Sequence, residues 1–274
     1  MAVKVKFWGV RGSIACPTPD HMIYGGNTSC IEVSDGTNRL ILDAGTGLRA
    51  LGQELTKTGG TSGILLLTHT HWDHICGFPF FTPFYLPGRR FRVMAGHLAD
   101  KGGVRSVLAS QMATPTFPVP LAALKAEMDY VDFHGGDTLP DLYPGLVVRT
   151  CPLNHPDGAT AYRLDWAGKS VCYVTDVEHV PGALDQTVIE LIRGADLVIY
   201  DCTYTDEEFP NHVGWGHSTW QQGIRLCQAA GARQLAIFHH NPDHTDKMMA
   251  EIEAEAKKVW SGTIVAREEM ALIL

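Results

Sequence analysis

Short apolar runs and two-residue alternation dominate this chain, and both are strand signals. From the start, Val3-Lys4-Val5-Lys6-Phe7 alternates apolar and polar positions. Ile64-Leu65-Leu66-Leu67 and Leu235-Ala236-Ile237-Phe238 are continuous apolar runs of strand length, as a strand covered on both faces requires. On these patterns strands are predicted at 3–8, 29–34, 39–43, 63–68, 91–95, 129–133, 146–151, 160–165, 170–175, 196–200, 234–238 and 263–267. Helical spacing is rarer. Leu48, Leu51 and Leu55 mark a short helix after Gly45-Thr46-Gly47, and 184–193 reads as another that ends near Gly194. Ser218-Thr219-Trp220-Gln221 has capping-box spacing and opens a helix that stops at Gly231. Thr245-Asp246 caps a last helix, with Met249, Ile252, Ala256 and Val259 on one face and a Glu253–Lys257 pair at i,i+4. Strands, then a helix, then the same again predicts two packed sheets with helices outside.

Residues 75–145 depart from this rhythm. Gly, Pro and aromatics crowd there: Phe78, Pro79, Phe80, Phe81, Pro83, Phe84 and Tyr85, then Phe117-Pro118-Val119-Pro120. The segment reads as a partly helical insertion that walls a pocket, with most of its aromatics serving as core. No linker or low-complexity tract divides the chain, so 1–274 is expected to form one domain.

Composition narrows the function. A hydrophobic content of 45% supports a sizeable core. No apolar run approaches the roughly 18 residues of a membrane helix, and the N-terminus lacks the apolar block of a signal peptide. The seven cysteines are odd in number, widely spread and without a Cys-x-x-Cys pair. They read as reduced thiols of a cytoplasmic protein. The formal charge is −8; two divalent cations would offset about half of it. No basic cluster exceeds Arg89-Arg90 or Lys257-Lys258. A long nucleic acid would want a basic track, so a small anionic substrate is expected instead. The oligomeric state is open, a homodimer included.

The chemistry is concentrated in Thr68-His69-Thr70-His71-Trp72-Asp73-His74, which directly follows the apolar run 64–67. His69 and His71 are two apart, so extended backbone points both the same way. Asp73 and His74 lie past the strand end and can turn toward a second point. Four such side chains without a cation would each need hydrogen-bond partners. Further ligand types follow other strands: His155 after 146–151, Asp176 after 170–175, and His239 or its neighbour His240 after 234–238. Strand ends hold side chains rigidly while leaving an open face. Five His and two Asp suit two metals roughly 3.5–4 Å apart, with Asp176 between them.

This series, His-x-His-x-Asp-His and then isolated His, Asp and His after strands, resembles the ligand set of the metallo-β-lactamase fold superfamily. The likeness runs from Phe7-Trp8-Gly9 to the final strand and implies an α+β fold, a four-layer αββα sandwich with its site at one edge of the two sheets. It further implies one metal on His69, His71 and His155, a second on Asp73, His74 and His239, and Asp176 bridging. The strand-to-ligand register, with Pro242 following, favours His239 over His240. Imidazole at His71 favours zinc, with manganese or iron as alternatives.

Two other segments, Tyr200-Asp201-Cys202-Thr203 and Gly216-His217-Ser218-Thr219, are similar to paired motifs of the tRNase Z-like phosphodiesterases. There the acidic residue positions a histidine acting as general acid, which implies those roles for Asp201 and His217. The following helix N-terminus would lower the pKa of His217 and the carboxylate would raise it, leaving it near neutrality. Trp8-Gly9-Val10-Arg11-Gly12-Ser13 and Tyr24-Gly25-Gly26-Asn27-Thr28-Ser29 are similar to a bacterial group related to phosphoribosyl cyclic phosphodiesterases, and Arg11 and Asn27 are candidates to touch an anion. The cysteine-rich extra zinc site of the phosphonate-pathway enzyme and the long arm of tRNase Z are not evident. The expectation is a binuclear hydrolase of a small phosphodiester, cyclic ones included. In it a bridging hydroxide, oriented by Asp73, attacks phosphorus, and His217 protonates the leaving group. The alternatives are a lactone, lactam or thioester hydrolase of the same fold, and a non-catalytic metal or oxygen sensor. His21, His97, His134, His179, His212 and His244 read as structural, with His179 and His212 also candidates to line the pocket.

Overall fold

In the computed structural model, residues 2–274 are described. The first half of the chain supplies strands β1 (Lys4–Gly9), β2 (Cys30–Ser34), β3 (Arg39–Leu42), β4 (Ser62–Leu67), β5 (Arg90–Ala95) and β6 (Glu127–Asp132). The second supplies β7 (Thr138–Leu139), β8 (Leu146–Leu153), β9 (Ala159–Trp166), β10 (Lys169–Val174), β11 (Leu197–Asp201), β12 (Leu235–Phe238) and β13 (Thr263–Val265). A last strand, β14 (Ala271–Ile273), returns to pair with β1. Two seven-stranded mixed sheets result, in the orders β14-β1-β2-β3-β4-β5-β6 and β13-β12-β11-β10-β9-β8-β7.

The apolar runs explain the layering. In β4, Ile64 and Leu66 face the second sheet, while Leu65 and Leu67 face helices outside. In β12, Ala236 and Phe238 face the first sheet, and Leu235 and Ile237 face outward. Each fully buried Leu, Ile or Phe in these layers contributes about 1.5–3 kcal/mol. Helices α1 (Gly47–Thr58), α2 (Trp72–Ile75) and α3 (Val104–Gln111) belong to the first half of the chain; α1 and α3 cover the first sheet through Leu48, Leu51, Leu55, Val104 and Leu108. Helices α4 (Gln186–Ile192), α5 (Trp220–Ala230) and α6 (Asp246–Val259) cover the second. The architecture is the αββα sandwich. Among the described residues no helix is long and apolar enough to cross a membrane.

Several expectations need adjustment. Residues 75–145 are in part integral sheet, because β5 pairs in continuous parallel register with both β4 and β6. The N-cap of α5 is Thr219, whose hydroxyl accepts from the Gln222 N–H; Ser218 is instead bonded to His179 and Tyr200. Val259 lies on the solvent side of α6 at 60% exposure. Arg11 is fully buried, donating to the carbonyls of Gly25, Asn241 and His244, and Asn27 bonds Glu268. Both tie loops together through groups of the protein itself.

Candidate metal centre and active site

All the predicted ligand residues lie at one end of the sandwich, past the C-terminal ends of β4, β8, β10 and β12. The backbone turns sharply as it leaves the strands. Asp176 and His239, at φ 60° and 59°, and Asp43 just past β3, at 61°, occupy the left-handed region. Non-glycine residues take that conformation at a cost, which swings these side chains inward.

Two trios form. In the first, Nε2 of His155 lies 3.1 Å from Nδ1 of His71, and the His69 ring meets the His155 ring edge-on with centroids 4.7 Å apart. In the second, Nε2 of His74 lies 3.3 Å from Nε2 of His239 and 3.2 Å from Oδ2 of Asp73. Asp176 stands between them. Its Oδ1 is 3.7 Å from both His69 and His155, and its Oδ2 is 3.1 Å from His74 and 3.5 Å from His239. Ligand atoms in each trio converge within 4.8 Å.

Hydrogen bonding on the outer side of these rings decides what their inner nitrogens can do. His74 Nδ1 donates to Asp43 (2.8 Å), and His155 Nδ1 to the Gly216 carbonyl (2.8 Å). His239 Nδ1 bonds the Thr203 hydroxyl (3.0 Å), which is itself 2.8 Å from Asp201. Each neutral ring is thereby left with a lone pair at Nε2, aimed inward. Lone pairs facing one another at about 3.3 Å repel unless a cation lies between them, and His69 Nε2 is buried with no hydrogen-bond partner. The residues therefore fit metal ions. A proton on His74 can take the place of such a cation, and the charges around the ring favour it. Burial opposes charge on His74, yet Asp176, Asp73 and Asp43 outweigh it and hold its pKa well above the ordinary value. Burial, with His74 beside it, pushes His69 well below. Burial would raise Asp176 and Asp73, but the surrounding imidazoles pull both well below the usual carboxylate range. The centre as a whole attracts positive charge.

His217 lies beside this cluster, its ring centroid 4.9 Å from that of His239 and 5.6 Å from that of His155. Its Nδ1 is 2.9 Å from Oδ2 of the fully buried Asp201. Burial disfavours its charge, but Asp201, then Asp176 and Asp73, raise its pKa to about 9, above the near-neutral value expected from the sequence. The three carboxylates around His217 outweigh both burial and the nearby helix end.

Of the two adjacent histidines, His239 is the one in the cluster. His240 is buried behind it, with Nε2 on the Ala266 carbonyl (2.8 Å) and its pKa pushed down to about 3 by burial and by Arg11. His179 stacks on Phe209 and His212 on Tyr204. Sequence reading passes over Asp43, and it quotes Thr203, Gly12 and Ser13, whose N–H binds Asp73 Oδ2 (2.7 Å), within motifs without giving them a role at the ligands. A Cβ on Gly12 would sit 2.3 Å from the His239 ring, so only glycine leaves room for that ligand. Asp43 follows a strand just as Asp176 does, and that was its available signal.

Residues 38–240 match the β-lactamase superfamily domain. Ribonuclease Z of Haloarcula marismortui is 22% identical, the match covering 98% of this chain and 96% of that protein. The metallo-β-lactamase fold protein YhfI of Bacillus subtilis superposes with a TM-score of 0.74 at 19% identity, over 100% of this chain and 99% of that one. The short form of human tRNase Z superposes with a TM-score of 0.68 at 17% identity, over 98% of each chain.

Proposed function

The chain belongs to the β-lactamase superfamily, and from that premise we propose that this metal-dependent hydrolase cleaves a small phosphodiester, cyclic ones included, with two zinc ions. His69, His71 and His155 would hold one ion, Asp73, His74 and His239 the other, with Asp176 shared. Bound divalent cations supply Lewis acidity, acidifying water and polarising phosphoryl oxygens. The imidazole-rich donor set supports zinc, with manganese or iron as alternatives.

The observation that carries the phosphodiester reading is the His217–Asp201 pair at the edge of the ligand cluster. Asp201 occupies Nδ1 and fixes the ring, leaving Nε2 as the proton-bearing atom for a departing alkoxide. Asp73, its Oδ2 held by the Ser13 N–H, would orient the attacking water. A lactone or lactam also expels a leaving group that needs a proton, so the pair sets a hydrolase apart from a sensor, and the likeness of its two segments to the paired phosphodiesterase motifs favours the phosphodiester. Replacing His217 with Ala should slow an alkyl-leaving phosphodiester by about 10²–10⁴-fold, while a nitrophenyl ester loses far less. Equal losses on both remove the acid role. Parallel assays on a chromogenic phosphodiester, a lactam and a lactone, with metal analysis, separate the reaction classes.

The Ribonuclease Z relatives favour RNA as a second reading. Against it, exposed arginines are neutralised in place: Arg90 by Glu127, Arg92 by Asp129, Arg225 by Asp206 and Arg233 by Asp196. A cytoplasmic setting belongs to the same proposal, supported by seven free cysteines, all but Cys76 buried.

A further inference from the structure

The chain just after Asn211 brings two groups to the candidate centre: the Gly216 carbonyl, which accepts from His155 Nδ1 (2.8 Å), and His217, paired with Asp201. His212, stacked on Tyr204, anchors the start of this segment. Little else in it is held by packing, since Val213 and Trp215 are 56% and 63% exposed. Gly214 and Gly216 both take left-handed backbone, at φ 91° and 85°. Position 216 has to be glycine, because a Cβ there would lie 2.3 Å from Nδ1 of His155. Glycine permits that close approach but leaves the backbone free to abandon it, so a group outside the segment must fix it.

Glu178 supplies that restraint. Its Oε2 accepts from the Gly214 N–H (2.7 Å) and from the Gly216 N–H (2.8 Å). Two amides turned toward one anion form a concave backbone arrangement suited to negative charge, and bonds to a carboxylate are roughly twice as strong as neutral ones. The main chain of the same residue is tied the other way. Its N–H donates to the Asn154 carbonyl (2.8 Å), and its carbonyl accepts from the Asn154 side-chain amide (2.9 Å). The bonds close a ring: Asn154 to Glu178, Glu178 to Gly216, and Gly216 to His155, the neighbour of Asn154. Asp176 lies two residues before Glu178. The loops that carry His155, Asp176 and His217 therefore meet at this one residue.

We propose that Glu178 is a positioning residue, which acts through Gly216 to aim the His155 ring at its candidate ion and to hold His217 beside it. The assignment rests on His155 as a ligand and His217 as the acid, and adds the residue that couples them. Reach matters here and charge does not, because both loop amides must be met by one side-chain oxygen.

The test separates reach from charge. Glu178→Gln keeps the length and an oxygen able to accept both N–H groups, whereas Glu178→Asp keeps the charge but is one methylene shorter. Zinc affinity is read by competition with a chromogenic chelator, and melting of the metal-free proteins shows that each is folded. E178D should lose about 10–100-fold in affinity, the scale of losing a partner that orients a ligand, and E178Q should lose far less. Wild-type affinity in E178D, or an equal loss in E178Q, overturns the proposal. His155→Ala is the reference: wild-type affinity there defeats the ligand assignment itself, while a loss there without one in E178D defeats only the positioning role. The ratio of alkyl to nitrophenyl phosphodiester rates should fall in E178D and hold in E178Q; a ratio unmoved in E178D also overturns the proposal. If the wild-type protein turns over neither ester, the phosphodiester reading fails, and the affinity comparison still decides the role of Glu178.

Discussion

Asp43 is the most informative single position to change. Its carboxylate is fully buried and accepts from the Thr68 N–H (2.7 Å), the Thr68 hydroxyl, the Tyr173 hydroxyl (2.8 Å) and His74 Nδ1 (2.8 Å). Asp43→Asn keeps the volume but offers one acceptor oxygen and one NH₂. The Thr68 N–H is backbone and cannot reverse, so the amide oxygen must stay on Oδ1. The NH₂ then faces Tyr173 and His74. Tyr173 can turn from donor to acceptor, so the fold loses only about 1–2 kcal/mol. His74 must accept at Nδ1 and carry its proton at Nε2, the atom aimed at Asp73, Asp176 and His239. That removes a lone pair from the candidate ligand set. Loss of such an orienting partner typically costs 10–100-fold in metal affinity, about 1.4–2.7 kcal/mol. Competition between the protein and a chromogenic chelator for zinc measures the affinity, and melting of the metal-free proteins isolates the fold. A D43N protein that binds two zinc ions within twofold of wild type would refute the tautomer argument.

Gly12→Ala should displace His239 and cost at least about tenfold in kcat/KM, read together with a drop in bound zinc; normal zinc content would contradict the packing argument. Asp201→Asn should lower zinc content as well as activity, whereas His217→Ala should lower activity alone; metal analysis of both variants decides. Glu253 is held at about 2, because Lys257, Tyr24 and Arg267 outweigh the burial that would raise it. Its folded value lies below the ordinary 4.5, so the stability it contributes is complete above that pH and is lost as pH falls toward 2. Glu253→Gln should therefore shrink the stability gap to wild type as pH is lowered from 5 to 3, measured by urea unfolding; a constant gap would argue against the linkage.

The elements legible in the sequence were those whose side chains are sorted by the layers. Each of the twelve predicted strands has a counterpart, because runs such as 64–67 are buried on both faces. β7 and β14 have two and three residues, too few to show a period. α3 offers only Val104 and Leu108 as buried positions, and α2 is a single turn inside the histidine motif. The ligand types were legible for the same reason as the strands, since each follows one. What the sequence does not carry is which ring nitrogen faces inward. That depends on Asp43, Thr203 and the Gly216 carbonyl, which stand 31, 36 and 61 residues from the rings they hold.

Asp201 links the two functions of the site. Its Oδ2 receives His217 Nδ1, and its Oδ1 receives the Thr203 hydroxyl, which in turn orients His239. One buried carboxylate thus fixes the candidate acid and, through one hydroxyl, a candidate ligand of the second ion. A shared anchor of this kind makes the effects of substitution non-additive. Once Asp201 is neutralised, the His217 ring has lost its partner and its charge support, so removing His217 as well should cost little more. The positions of the candidate acid and the candidate ligand are consequently set together, so a proton donor at His217 would stay in register with a metal site that includes His239.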